Sequence, residues 1–186
     1  MSGIILNNKQ IDELVKNGII QINPDYESSK LQIAQYPLFP NTVWIIDKNH
    51  KIVEVFKFDK GNQVFRLKPK TYYLVDVNEN IKLPKGIIGR FITSSNFIES
   101  GISITSGKIE YPYGQNNEKI RFGIYNCLDI ETTISINDRI AYIQFFDLRG
   151  EELIDYERTD YDINNYNKRI HYDSDGPNYE LENNEE

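Results

Sequence analysis

The chain has 186 residues, 39% of them hydrophobic and 12% aromatic, enough apolar side chain to bury one core without disulfides or a structural metal. Its single cysteine, Cys127, excludes an intrachain disulfide and suits a reducing, cytoplasmic compartment. The formal charge of −7 is unevenly placed: residues 151–186 hold twelve acidic and three basic side chains, a net of −9, which leaves +2 for residues 1–150.

No apolar run approaches the length of a membrane span, and the opening MSGIILNNKQ lacks the basic and apolar regions of an export signal, so no membrane association is expected. With an acidic tail and no basic stripe interleaved with aromatics, a nucleic acid polymer is not an expected partner. Two parts are expected: a β domain over residues 1–150 and an acidic arm over 151–186. The closing LENNEE reads as solvated and disordered, whereas Tyr156, Tyr161, Tyr166, Tyr172 and Tyr179 make the rest of the arm richer in aromatics than disorder favours.

In chain order, the first predicted element is a short helix. Asn7 can cap it, Gln10 stands at the third helical position as in a capping box, Ile11, Leu14 and Val15 share a face, and Gly18 suits the left-handed residue that ends it. The rest reads as strand and turn. Segments such as TVWIID, KIVEVFKF, TYYLVDV, GIIGRFI, IRFGIYN and RIAYIQFF are short and rich in Ile, Val, Tyr and Phe. They are punctuated by DKNHK, DKGNQ, NENIKLPKG and GQNNEK. Many short strands beside one small helix imply a β-sandwich or barrel rather than a βαβ protein.

Particular segments carry a resemblance. IILNNKQIDELVKNGIIQINP followed by LQIAQYPLFPNTVWI resembles the start of dCTP deaminases. FRLKPKTYYLVDVNENIKLPKGIIGRF resembles their turn-rich centre, SSNFIESGI lies where they have a serine-rich nucleotide-binding motif, and INDRIAYIQFFDL is similar to their late strand. HYDSDGPNY resembles their C-terminal arm. The pieces run in order from about residue 4 to residue 148.

Resemblance to the dCTP deaminase and dUTPase superfamily implies a mainly β fold, a distorted jelly-roll or β-barrel with one short N-terminal helix. It also implies a homotrimer with nucleotide sites between subunits. Members of that superfamily deaminate dCTP or split dUTP, using a water activated by a carboxylate. Arginine, serine and backbone groups hold the phosphates, and Mg2+ accompanies a bound triphosphate.

The departures fall on the chemistry. Along GRFITSSNFIESGI, Ser95 matches a family serine, but Ser94 stands where the family has a phosphate-binding arginine and Glu99 where deaminases carry a second one. A carboxylate in place of a guanidinium reverses the local field. Gly123 falls on the deaminases' catalytic glutamate, Pro37 on an aspartate, and Tyr142 on a glutamine. Arg90, four residues before Ser94, is a candidate substitute cation, or else an interface ion pair.

One segment runs the other way. GKIEYPYG resembles the dUTPase stretch in which a carboxylate precedes, by three residues, a tyrosine that stacks on deoxyribose; Glu110 and Tyr113 have that spacing. Glu110 could serve as a general base. The alternative is a surface carboxylate and a half-buried packing tyrosine in a good turn. His50 and His171 read as solvated, Cys127 as a buried structural thiol, and Trp44 as core.

Three readings follow. The leading one is a catalytically inactive, trimeric nucleotide-binding or protein-interaction module, with Ser94, Ser95, Tyr113 and Arg90 as ligand contacts. The second is an active dUTP or dCTP enzyme with Glu110 as base. The third is an interaction protein without a small-molecule site, in which the C-terminal arm docks on a partner.

Overall fold

The structure, a computed structural model, describes residues 4–24, 26–105, 107–115 and 117–150, and the backbone of 171–173 and 176–178. In chain order its elements are β1 (Ile4–Ile5), α1 (Asn8–Lys16), β2 (Gln21–Asn23), β3 (Tyr36–Leu38), β4 (Pro40–Ile46), β5 (Ile52–Lys57), β6 (Val64–Leu67), β7 (Tyr72–Val77), β8 (Asn80–Lys82), β9 (Ile87–Thr93), α2 (Ser95–Glu99), β10 (Ile102–Thr105), β11 (Lys108–Glu110), β12 (Arg121–Asn126), β13 (Thr132–Ser135), β14 (Ala141–Asp147), β15 (His171–Asp173) and β16 (Gly176–Asn178).

The N-terminal helix begins as its sequence dictates. The Gln10 N–H donates to the Asn7 side chain at 3.0 Å, and the Gln10 side chain accepts from the Asn7 N–H at 2.9 Å. These two bonds satisfy orphan donors reciprocally. Gly18 follows the helix at φ +70. Asp12 fastens the helix to the loop after β2: it accepts from Lys16, Ser28 and Tyr26, and these bonds hold its carboxyl down at about 2.

Two antiparallel sheets form the body. Sheet one has the order β1-β14-β9-β11, with β3 lying end to end with β1 along the same side of β14; sheet two has the order β10-β12-β7-β4-β5. Neither sheet closes on itself, so the mainly β, jelly-roll expectation is met by an open sandwich. A second short helix, α2, joins β9 to β10. Three two-stranded pairs complete the architecture: β13 with β6, β2 with β8, and β15 with β16.

Alternation sorts the side chains. From sheet one, Phe91, Ile143 and Phe145 point inward; from sheet two, Val43, Tyr73, Val75, Phe122 and Ile124 meet them, all buried. Phe91 and Phe122 touch edge to face across the layers with centroids 5.0 Å apart, a favoured aromatic geometry. Each such side chain contributes about 1.5–3 kcal/mol by leaving water.

Trp44 departs from its expectation as a core residue. It sits half-buried, and its indole N–H donates to Asp76 at 2.9 Å. Among the described residues no helix is long and apolar enough to cross a membrane. Apart from the backbone of the β15–β16 hairpin, the arm over 151–186 lies outside the described residues.

Candidate functional site

The chain crosses from sheet two to sheet one between β10 and β11, and a groove of about 200 Å³ opens beside that crossing. Its walls include Phe91, Ile109, Ile120, Phe122 and Tyr113, with Lys108 and Arg121 at its polar margin. Tyr113 is half-buried; its hydroxyl donates to the Lys119 carbonyl at 2.7 Å and its N–H to the Glu110 carbonyl at 2.9 Å.

The turn that carries Tyr113 depends on Gly114. Its φ is +84, and a β-carbon there would strike the Ile81 carbonyl of β8. The turn is therefore pressed against β8, where the Gln115 side chain also donates to the Leu83 carbonyl at 3.0 Å.

The sequence-derived candidates divide between two places. Glu110 ends β11, exposed, and accepts from the Lys108 ammonium at 2.9 Å. Arg90 is exposed on β9, directly opposite Lys108 on one side and Gln144 on the other. Arg90, Glu110 and Tyr113 thus share the β11 end of sheet one.

Ser94 lies four residues beyond Arg90, on the order of 13 Å along extended chain. It precedes α2, is 3% exposed, and its hydroxyl has no hydrogen-bond partner among the described residues. Ser95 opens α2 and is exposed. A second groove, of about 330 Å³, lies near this end, walled by Thr93, Ile98, Ile102 and Ile104.

Cys127 lines that second groove and is exposed, not buried as its sequence context suggested, because it follows the last residue of β12 and turns out of the core. His50 sits in a turn at φ 60. Among the described residues no three His, Cys, Asp or Glu side chains gather to hold a metal ion.

Gly123 occupies the outer face of sheet two. A β-carbon built on it would fall within 2.7 Å of Tyr72 Cζ, because the Tyr72 ring leans from β7 across the glycine. Tyr72 stands directly opposite Tyr125, two residues on from Gly123 in register, so its ring reaches the diagonal neighbour.

Sequence reasoning missed two features. On the same outer face, Asp76 is buried and binds Arg121 through two contacts, Nε to Oδ1 at 2.6 Å and Nη2 to Oδ2 at 3.3 Å. The Arg121 guanidinium lies 5.0 Å from the Trp44 ring centroid. A lone aspartate inside the apolar strand YYLVDV was the available signal, since burying it requires a partner. The other feature is Glu79, 4% exposed in the turn between β7 and β8. Its carboxylate accepts from the Phe39 N–H at 3.0 Å, and burial pushes its pKa up to about 7.

The comparisons agree with this architecture. Residues 5–148 match the family described as DCD, dCTP deaminase-like, and the chain belongs to that family. The crystal structure of 2'-deoxycytidine 5'-triphosphate deaminase from Agrobacterium tumefaciens superposes with a TM-score of 0.62 at 15% identity, over 79% of this chain and 49% of that one. The chain thus spans about half the length of that deaminase. A dUTPase variant from phage phi11 of S. aureus, whose structure displays a structural Mg(II) ion, gives a TM-score of 0.48 at 14% identity, over 76% of this chain and 98% of that one. No curated protein sequence matches the chain.

Proposed function

We propose that the chain is a nucleotide-binding member of the dCTP deaminase-like family that does not turn its ligand over. The observation that carries this reading is Tyr72 over Gly123. Gly123, which the sequence resemblance sets against the deaminases' catalytic glutamate, bears no side chain, and the Tyr72 phenol takes the adjoining space. A phenol offers no carboxylate to activate water.

The ligand's base and sugar would lie in the groove beside the half-buried Tyr113 ring. Arg90 and Lys108 supply positive charge at that end, although Glu110 neutralises Lys108. Ser94 and Ser95, on the far side of β9, would serve as neutral hydrogen-bonding contacts. Magnesium would enter only on the phosphates of a triphosphate.

Assembly as a homotrimer is part of this reading. Its support is the outer face of sheet one, where Ile5, Phe146 and Ile88 stand in one register row; Ile5 is 50% exposed. An apolar row of this kind is a surface to be covered. A cytoplasmic location rests on the lone, exposed thiol of Cys127. The arm over 151–186 is the element assigned to a protein partner.

A second reading keeps Glu110 as general base, favoured by its place three residues before Tyr113. Against it stands the Lys108 ammonium, already bonded to the carboxylate.

Thermal unfolding against deoxynucleotide mono-, di- and triphosphates, with and without magnesium, tests both readings when run beside assays of deamination and pyrophosphate release. A ligand at about a hundredfold its Kd adds roughly 2.7 kcal/mol of stability. Stabilisation without product is the expected result. Product formation that Glu110→Ala abolishes would replace this reading with the enzyme.

A further inference from the structure

The groove beside Tyr113 holds about 200 Å³, less than the roughly 300–1,000 Å³ of pockets that enclose drug-sized ligands. Its lining side chains Phe91, Ile109, Ile120 and Phe122 are apolar and buried. Nearer solvent it is lined by the half-buried Tyr113 and the exposed Thr105, which brings a neutral hydroxyl.

Among the described residues two cations line the groove, and each is already held by a carboxylate of this chain. The Lys108 ammonium bonds Glu110 at 2.9 Å. The Arg121 guanidinium contacts both oxygens of Asp76, at 2.6 and 3.3 Å, and lies against the Trp44 ring. Drawing Arg121 toward a phosphate would leave the Asp76 carboxylate, 4% exposed, without its cation. Arg90 is not among the lining residues; alternation along β9 points it to the opposite face from Phe91. Glu118 and Lys119, leading into β12, add one charge of each sign, so Asp76, Glu110, Glu118, Lys108, Lys119 and Arg121 together carry no net formal charge.

Holding a triphosphate means neutralising several negative charges with cations or oriented donors. A groove whose cations are committed does this poorly, and the exposed Glu110 carboxylate repels the ligand. An uncharged ligand meets no such obstacle. Its ring faces leave water against apolar side chains, and neutral polar groups meet its edges.

We propose that the groove selects an uncharged nucleoside, base and deoxyribose without phosphate, and discriminates against the corresponding triphosphate. The proposal deepens the nucleotide-binding reading and rests on it, since that reading supplies the base and the sugar. The order of preference within the series rests on charge and volume.

Calorimetric titration of the full chain with deoxyuridine, its monophosphate and its triphosphate reads that order directly, in low salt so that charge effects are not screened and without magnesium. Deoxyuridine is expected to bind about tenfold more tightly than the triphosphate, with the monophosphate between them. The NMR signals of the Tyr113 ring should move as deoxyuridine is added. Triphosphate binding as tight as that of deoxyuridine, or tighter, would overturn the preference and leave the nucleotide-binding reading standing. Binding of none of the three would remove that reading together with the preference. Deoxyuridine binding with unmoved Tyr113 signals would also overturn the proposal, because the ligand would then sit elsewhere.

Glu110→Gln supplies the test of charge. Both side chains of its ion pair are exposed, Lys108 by 58% and Glu110 by 46%, so the pair adds little stability and the variant is expected to fold. With the Lys108 ammonium released, the ratio of triphosphate to deoxyuridine affinity is expected to rise about fivefold. An unchanged ratio would overturn the assignment of the preference to charge.

Discussion

The ring of Tyr72 fills the volume above Gly123, with Cζ and Cε2 within 2.7 and 2.9 Å of where a β-carbon at 123 would stand. A side chain at 123 therefore requires the Tyr72 ring, which is 42% exposed, to swing aside. Gly123→Glu is expected to cost about 1–3 kcal/mol through overpacking. Tyr72→Ala with Gly123→Glu should recover part of that loss, with a coupling of about 0.5–3 kcal/mol in a double-mutant cycle followed by urea unfolding.

Glu79 gives stability a definite pH dependence. Its folded pKa of about 7 lies above the ordinary 4.5, so between those values the folded state holds a proton that the unfolded state has released. Its contribution is full below about 4.5, is lost as pH rises toward 7, and stays lost above. The loss is on the order of 3 kcal/mol. Glu79→Gln should flatten this part of the profile and stabilise the protein at pH 8, as read by urea midpoints across the pH series.

Asp76 satisfies both Arg121 and the Trp44 indole. Asp76→Ala removes both contacts to the half-buried Arg121 guanidinium and is expected to cost on the order of 3 kcal/mol. Trp44 fluorescence should change with it, since the group bonded to its N–H is gone. A midpoint and emission matching the parent protein would contradict the pairing.

Gly114→Ala tests the seat of the Tyr113 turn. Its positive φ and the nearby Ile81 carbonyl both oppose a β-carbon, so a loss of about 1–3 kcal/mol is expected. Amide exchange in residues 111–115 should quicken more than exchange in β12, because the injury is local.

Much of this architecture could be read from the chain. Asn7, Gln10 and Gly18 announce the first helix, since capping is local chemistry, and the alternation in GIIGRFI and RIAYIQFF marks β9 and β14 together with their inward faces. The spacing of Glu110 and Tyr113 marked a turn, and the Tyr113 N–H does close back on the Glu110 carbonyl. The partners of Asp76 and Glu79 were not legible: Trp44 and Arg121 lie 32 and 45 residues from Asp76, and Phe39 lies 40 from Glu79. Which strands become neighbours is decided by the whole sheet. Cys127 was misplaced because its strand is buried while the residue itself has already left it.

Sheet one has a consequence for how the chain comes to be folded. Its central strand, β14, is also the last strand of the body, and it pairs with β1, β3 and β9. Ile4 pairs with Asp147, so nearly the full length of the body separates the two ends of one ladder. During synthesis the first residues have no strand to join until residue 147 has emerged from the ribosome. Until then β9 presents a bare edge, and a nascent chain halted before residue 141 would be an aggregation hazard rather than a smaller domain.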